Sequence, residues 1–294
     1  MSQRSRTNIA RDLRTGRFWI RLTTHFFAAL GLIGAVIGIT DAVFPTALPP
    51  AAWPVVAVIV AIAIGWALLC SWPRPIEQRY QQPKTEVRVF VGDLFDQEGN
   101  VVVGMSTTFD TETPHVISSD SVQGQLLARI YNGDHQALDN DLTSALANVS
   151  PTESFKAVDA KRGKQDIYPL GTVVVLNQTP RKLYFCVAYT EMQSDCTVKA
   201  NVDGIWTSLN ELWRLADTRG NGDPISIGVI GGGQSRLSGY LPVQDAIRLT
   251  VLSYIFASRA RPVSRQLNIV VRSDDFKNLD ALELQAFLNS LRPS

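Results

Sequence analysis

Two short loops carry the residue types with which this chain could do chemistry. One lies in the stretch Val87–Asp110. An apolar run of Val87, Val89, Phe90 and Val91 stops at Gly92-Asp93-Leu94, and a second, Val101–Val103, stops at Gly104-Met105-Ser106. Both read as short buried strands, each ending on a glycine and a small polar surface. In open α/β sheets the ligand crevice lies beyond the carboxyl ends of the strands. A carboxylate at one strand end accepts from an exocyclic amine, and small residues at the next let backbone N–H groups reach phosphate oxygens. The bland alternative is punctuation, because strand–Gly–Asp turns also occur without a ligand.

The second loop, Gly231-Gly232-Gly233-Gln234-Ser235-Arg236-Leu237-Ser238-Gly239, follows the strand ISIGVI and leads to a long helix beginning near Pro242. Consecutive glycines with Ser and Arg can wrap a pyrophosphate through backbone donors and one charge-assisted contact. It is not a Walker A loop, since no Gly-Lys-Ser/Thr follows. Nor is it a dinucleotide fingerprint, because Arg236 stands where the third glycine would be. Three glycines in a row also serve as a plain flexible turn; the position after a strand is what favours a ligand.

No catalytic set assembles around these loops. Ser235 is outside any Gly-x-Ser-x-Gly elbow and has no histidine near it in sequence. Asp93, Asp110 and Glu112 are acids whose convergence sequence alone does not establish. His25, His115 and His135 fall in unrelated places, and Cys70, Cys186 and Cys196 have neither zinc nor disulfide spacing. The loops therefore point to binding rather than catalysis.

The elements that position them alternate between apolar runs and amphipathic segments. Ser118-Ser119-Asp120 offers capping side chains ahead of a helix through Val122, Leu126, Leu127 and Ile130, and residues 135–147 continue as another. Thr172–Leu176 and Leu183–Tyr189 read as strands around the turn Asn177-Gln178-Thr179-Pro180. A helix follows over Ile205–Ala216, a strand over Ile225–Ile230, and an apolar helix over Val243–Ala257. A strand over Gln266–Val271 and a helix over Leu279–Leu291 close the chain. Strands alternating with helices imply a layered α/β sheet.

Upstream the chain is of another kind. The whole has 294 residues, 19% of them charged, and a net charge of +1. Arg4, Arg6, Arg11, Arg14, Arg17 and Arg21 stand against Asp12 in residues 1–21, a local charge of about +5. The remainder sums to about −4, which argues against a nucleic-acid-binding body. Between Arg21 and Asp41 no charge appears, and Ala51–Trp72 is a second uncharged apolar stretch. About 20 such residues span a bilayer core as a helix. The prolines of Phe44–Pro50 separate the two, and Trp19, Trp53, Trp66 and Trp72 fall mostly near the ends, where indoles favour the interface. The reading is a transmembrane helical hairpin over residues 22–72, with helices at about 22–43 and 52–72. Basic residues on both sides place both flanks in the cytoplasm. Gly34 and Gly38, and Ala57, Ala61 and Gly65, form small-residue faces that pack either the two helices of one hairpin or an oligomer. Neither span carries Asp, Glu, Lys or Arg, so no ion path is written into them. Residues 73–84, bearing Pro73, Pro75 and Pro83, read as a short linker, and residues 85–294 as the soluble domain.

Taken in order, GDLF (from Gly92), MSTTFDTE (Met105–Glu112), SVQGQ (Ser121–Gln125), YPLGT (Tyr168–Thr172) and the GGGQS loop (Gly231–Ser235), after two membrane spans, resemble the membrane-anchored macro-domain effectors of bacterial Thoeris anti-phage defence. The resemblance covers nearly the whole chain. It implies a macro-like α/β/α three-layer domain with a mixed sheet behind the hairpin, in a multi-pass protein of the bacterial inner membrane. It also implies a partner TIR-domain enzyme that makes an ADP-ribose-derived signal, histidine-ADP-ribose in this group, which the macro cleft senses before the spans assemble and disrupt the membrane. By motif, Asp93 would accept from the adenine amine, with Leu94 beside it. Gly231, Gly232, Gly233, Gln234, Ser235 and Arg236 would hold the phosphates. Met105, Ser106, Phe109 and Asp110, with Ser121, Val122, Gln123 and Gly124, would line the distal ribose, and Phe276 would stack on adenine. Hydrolytic macro domains carry an Asn-Ala-Ala-Asn stretch after the second strand. Here Ser106-Thr107-Thr108-Phe109 replaces it, which favours a receptor without enzymatic activity or cofactor over an ADP-ribosyl hydrolase or a reader of ADP-ribosylated proteins.

Overall fold

The computed structural model describes residues 16–43, 53–71, 76–159, 161–179, 182–231 and 241–292. The chain divides into two compact units, Met1–Pro75 and Ile76–Ser294.

The N-terminal unit contains helices α1 (Gly16–Val43) and α2 (Trp53–Ser71), which pack against one another. Within α1, Leu22–Thr40 has a mean hydropathy of 1.9 and no buried share, so by length and composition it is long and apolar enough to cross a membrane. The apolar part of α2 among the described residues, Val56–Cys70, is shorter. Ala29, Ala63 and Ala67 are the closely packed small residues of the pair. Gly34, Gly38 and Gly65 have open space where a Cβ would stand. The two helices therefore pack on these alanines rather than on the expected faces of Gly34 and Gly38 and of Ala57, Ala61 and Gly65.

The C-terminal unit is an α/β/α domain built on a mixed sheet in the order β1-β2-β10-β9-β3-β7-β6. Its strands are β1 (Ile76–Tyr80), β2 (Thr85–Val91), β3 (Asn100–Ser106), β6 (Val173–Thr179), β7 (Lys182–Met192), β9 (Ile225–Gly228) and β10 (Gln266–Val271). Strands β2, β10, β9, β3 and β7 run parallel, and β1 and β6 flank them antiparallel. Short strands β4 (Glu153–Ser154) and β5 (Asp166–Ile167) pair with each other, and β8 (Val198–Lys199) pairs with β7. The stretch expected as linker supplies an edge strand instead. Ile76, Gln78 and Tyr80 of β1 are buried in alternation, and Ile76 pairs with Val89. Pro73 and Pro75 concealed this, because the period-2 pattern is only five residues long.

Parallel strands sit between helices, so a central one is apolar on both faces. In β3 every residue but Gly104 is buried. Val101, Val103 and Met105 turn to one side, where α3 (Val122–Ile130) and α4 (His135–Leu146) contribute Leu126, Leu127, Leu138, Leu142 and Leu146. Val102 turns to the other, joined by α5 (Val202–Arg219), α6 (Val243–Ala260) and α8 (Ala281–Ser290). On α5 the buried Ile205, Leu209, Leu212, Trp213 and Ala216 recur at helical spacing. Trp213 meets Tyr254 edge to face at 5.3 Å and donates to Ser253 Oγ at 2.9 Å, so its polar edge is satisfied in the core. A five-residue helix, α7 (Ser273–Lys277), follows β10 directly.

Candidate binding cleft

Because the five central strands are parallel, their carboxyl ends open on one edge of the sheet, where a cleft of about 710 Å³ lies. Its wall is made by Gly92–Phe95 after β2, Gly104–Ser106 at the end of β3, and the turn into α3. Tyr189 and Thr190 of β7, the residues after β9, and Val270–Arg272 with Asp274 and Asp275 complete it. Of the residues the sequence singled out, Asp93, Leu94, Met105, Ser106, Ser121, Val122 and Gln123 are brought together on this wall.

Asp93 sits in a braced turn. Its Oδ1 accepts from the Phe95 amide at 2.9 Å, and the Arg129 guanidinium reaches both carboxylate oxygens at 2.7 Å. Arg129 also donates to Asp96 Oδ1 at 2.8 Å and lies 5.4 Å above the Phe95 ring. Burial works to raise the Asp93 carboxyl, but the bonds from Arg129, Phe95 and Asp96 and the guanidinium charge outweigh it and hold the group below the ordinary aspartate value. From β7, Lys182 Nζ donates to the Phe95 and Gln97 carbonyls at 2.6 and 2.8 Å.

At the other end, Ser121 is the N-cap of α3. Its Oγ accepts from Gly124 N at 3.0 Å and donates to the Ser118 carbonyl at 2.6 Å. The cap is thus the residue just after the expected Ser118–Asp120, of which Ser118 and Asp120 line the approach. Gly124 itself faces away from the cleft: a Cβ there would run into the Ser118 and Ser119 backbone, so this turn admits only glycine.

Between the two ends lies Tyr189, which sequence reasoning passed over. Its ring packs so closely on Gly104 that a Cβ at 104 would overlap it. Burial raises the Tyr189 phenol, and its hydrogen bond with the Gly231 backbone opposes that rise. Gly231, buried and at φ +85°, opens the glycine-rich loop. Gly232, Gly233, Gln234, Ser235 and Arg236 lie outside the described residues. An interior strand glycine signals close approach of a neighbour, so Gly104 was the clue to Tyr189.

Besides Gly124, three further expected residues stand elsewhere. Phe109, at φ 48° and fully buried, packs edge to face on Tyr168 at 5.7 Å. Asp110 forms a buried ion pair with Lys161 Nζ at 2.8 Å. It also accepts from Thr108 Oγ1 at 2.5 Å and the Lys164 amide at 2.6 Å, while its carbonyl accepts from Gln123 Nε2. The remaining Lys161 donors go to the Arg162 and Lys164 carbonyls at 2.8 and 2.7 Å. Phe276 packs against the apolar core shared by α6 and α8. The stretch after β3 thus pins the domain through Phe109 and Asp110, while Met105 and Ser106 face the cleft. Among the described residues no group of three His, Cys, Asp or Glu side chains is placed to hold a metal ion.

Residues 87–272 match the family described as Thoeris protein ThsA, Macro domain. No curated protein matches the chain. Solved structures similar to it include a mutant of the Oceanobacillus iheyensis macrodomain, at 12% identity and a TM-score of 0.49, covering 74% of this chain and 99% of that one. The same macrodomain with ADP has 12% identity and a TM-score of 0.47, covering 74% and 96%. The Trypanosoma brucei macrodomain in complex with ADP-ribose has 12% identity and a TM-score of 0.45, covering 69% and 71%.

Proposed function

The chain belongs to the Thoeris ThsA macro-domain family, and from that premise we propose that it is a membrane-attached receptor whose cleft takes an ADP-ribose-type nucleotide. The observation that carries this reading is the cleft at the carboxyl ends of the five parallel strands, with the Arg129-paired Asp93 at one end and the glycine-led Gly231 turn beside it. Its volume is that of a small-molecule site. Asp93 accepts from the adenine amine, and the glycine-rich loop after Gly231 holds the diphosphate. Asp120, on the wall beside the start of α3, favours a cationic or zwitterionic group on the distal ribose over a further phosphate. Such a group suits an amino-acid conjugate, histidine-ADP-ribose foremost, supplied by a TIR-domain enzyme.

The domain binds this signal rather than turning it over. Ser106 and Thr108 hydroxyls are 3.2 Å apart, Thr108 donates to Asp110, and Thr107 Oγ1 accepts from the Met192 amide, so the hydroxyls after β3 are engaged with the protein itself. On the membrane side, α1 and α2 form a hairpin in the inner membrane with both flanks in the cytoplasm, supported by the apolar Leu22–Thr40 and the basic tail. The open faces of Gly34 and Gly38 favour contact with hairpins of other copies, through which ligand-bound protein assembles and disrupts the bilayer.

The test is titration of the full-length protein in detergent with ADP-ribose, NAD and histidine-ADP-ribose, with the ligands recovered afterwards. Saturable binding, tightest for the conjugate and without breakdown, is expected. Absence of binding to all three, or cleavage of any of them, contradicts the proposal.

A further inference from the structure

At the cleft rim, among the described residues, Asp93 receives hydrogen bonds from N–H groups alone: the amides of its own turn and the Arg129 guanidinium. Arg129 comes from the last turn of α3, a helix whose first turn lines the other part of the cleft. Its geometry is fixed three ways, by both Asp93 oxygens, by Asp96, and by the Phe95 ring beneath it. The turn itself cannot swing aside, because Gln97 Nε2 donates to the Asp93 carbonyl at 2.6 Å and Lys182 holds the Phe95 and Gln97 carbonyls. About two-fifths of the Asp93 side chain is exposed, so the carboxylate is both clamped and reachable.

We propose that Arg129 is a positioning residue for base recognition: it holds the Asp93 carboxylate as a fixed hydrogen-bond acceptor, so that the cleft takes a base with an exocyclic amine over one presenting a carbonyl there. The inference rests on the ADP-ribose reading and deepens it. A carboxylate kept ionised has no proton to donate, so it pairs with the amine of adenine and leaves the carbonyl of hypoxanthine unpaired. A site that loses such a partner on desolvation discriminates strongly against the analogue. The charged groups facing Asp93 are Arg129 from α3, Asp96 on the same turn, and Lys182 from β7. Without Arg129 the side-chain bond and the charge that hold the Asp93 carboxyl down are lost while burial still acts to raise it, so it moves back up toward its ordinary value, and its protonated form donates as well as accepts.

The experiment is titration of full-length wild type, Arg129→Gln and Arg129→Lys with ADP-ribose and inosine-diphosphate-ribose from pH 7.5 down to pH 4. Wild type should prefer the adenine ligand by about tenfold or more, with little change over this range. Arg129→Gln should lose about tenfold for ADP-ribose, lose more as pH falls, and hold its affinity for the hypoxanthine ligand. Arg129→Lys keeps the charge without the fork, so it should retain the pH profile and lose part of the preference. An Arg129→Gln protein with wild-type preference and profile overturns the inference. So does an equal, pH-independent loss for both ligands, which marks a purely structural role. Wild type binding neither ligand retires the ADP-ribose reading itself, and this inference with it.

Discussion

Two aspartates follow β2 and β3, strands consecutive in the chain, and each is paired to a cation at 2.7–2.8 Å, yet their surroundings differ. Asp110 and Lys161 are 1% and 0% exposed, and every donor of the ammonium and both oxygens of the carboxylate are taken up inside the domain. Asp93 and Arg129 are 43% and 37% exposed and stand at the rim of the cleft. Burial makes the first pair scaffold, because a ligand would have to compete with a complete set of internal bonds. Exposure leaves the second pair reachable from the cleft, as the proposed ligand contact requires. Both are an aspartate paired to a basic side chain, so the packing around them is what separates the two.

Breaking the scaffold pair should have the largest effect. Lys161→Met leaves a buried carboxylate uncompensated and should cost about 3–5 kcal/mol, lowering the melting temperature by about 10 °C. A loss within about 1 kcal/mol would mean that water reaches Asp110. Next come the glycines that seat each region. Gly163, at φ +81° against Asp110 Oδ1, and Gly104, against the Tyr189 ring, should each lose about 1–3 kcal/mol on change to alanine. Only Gly104→Ala should also impair nucleotide binding, by pushing Tyr189 into the cleft. Calorimetric melting paired with ADP-ribose titration separates the two. Removing the α3 cap with Ser121→Ala should cost about 1 kcal/mol by denaturant unfolding.

The rim pair should matter least for stability. Arg129→Gln is expected to cost no more than about 1 kcal/mol near neutral pH. Because the folded Asp93 carboxyl lies below its ordinary value, the pair's contribution is present above the ordinary aspartate range. It is lost as pH falls through the depressed folded value. Melting temperatures of wild type and Arg129→Gln should therefore differ by a constant amount above about pH 5 and converge in stronger acid. A gap that persists into acid would place the effect in packing on Phe95 rather than in charge.

The same contrast explains what the sequence made legible. Periodicity located β10 to the residue, and α3 through α6 and α8 within a few residues, since each buries an apolar stripe of ordinary length. It missed β1, whose five residues sit among prolines, and the short α7. The cleft's place was readable because parallel strands ending in Gly92 and Gly104 must open on one edge. Arg129 and Lys182 were not, because no spacing links positions 129 or 182 to 93; only the packing of α3 and β7 beside the turn brings them there. Phe109 and Asp110 were misplaced for a related reason. The chain turns at Phe109 into a left-handed conformation, which carries the next side chain inward to Lys161 rather than onward along the wall.

The most direct measurement is equilibrium titration of ADP-ribose into full-length wild type and Asp93→Ala, with the melting temperature of each. Asp93→Ala should lose at least about tenfold in affinity while melting within about 3 °C of wild type. Wild-type affinity in Asp93→Ala would contradict the assignment of the rim aspartate to the ligand.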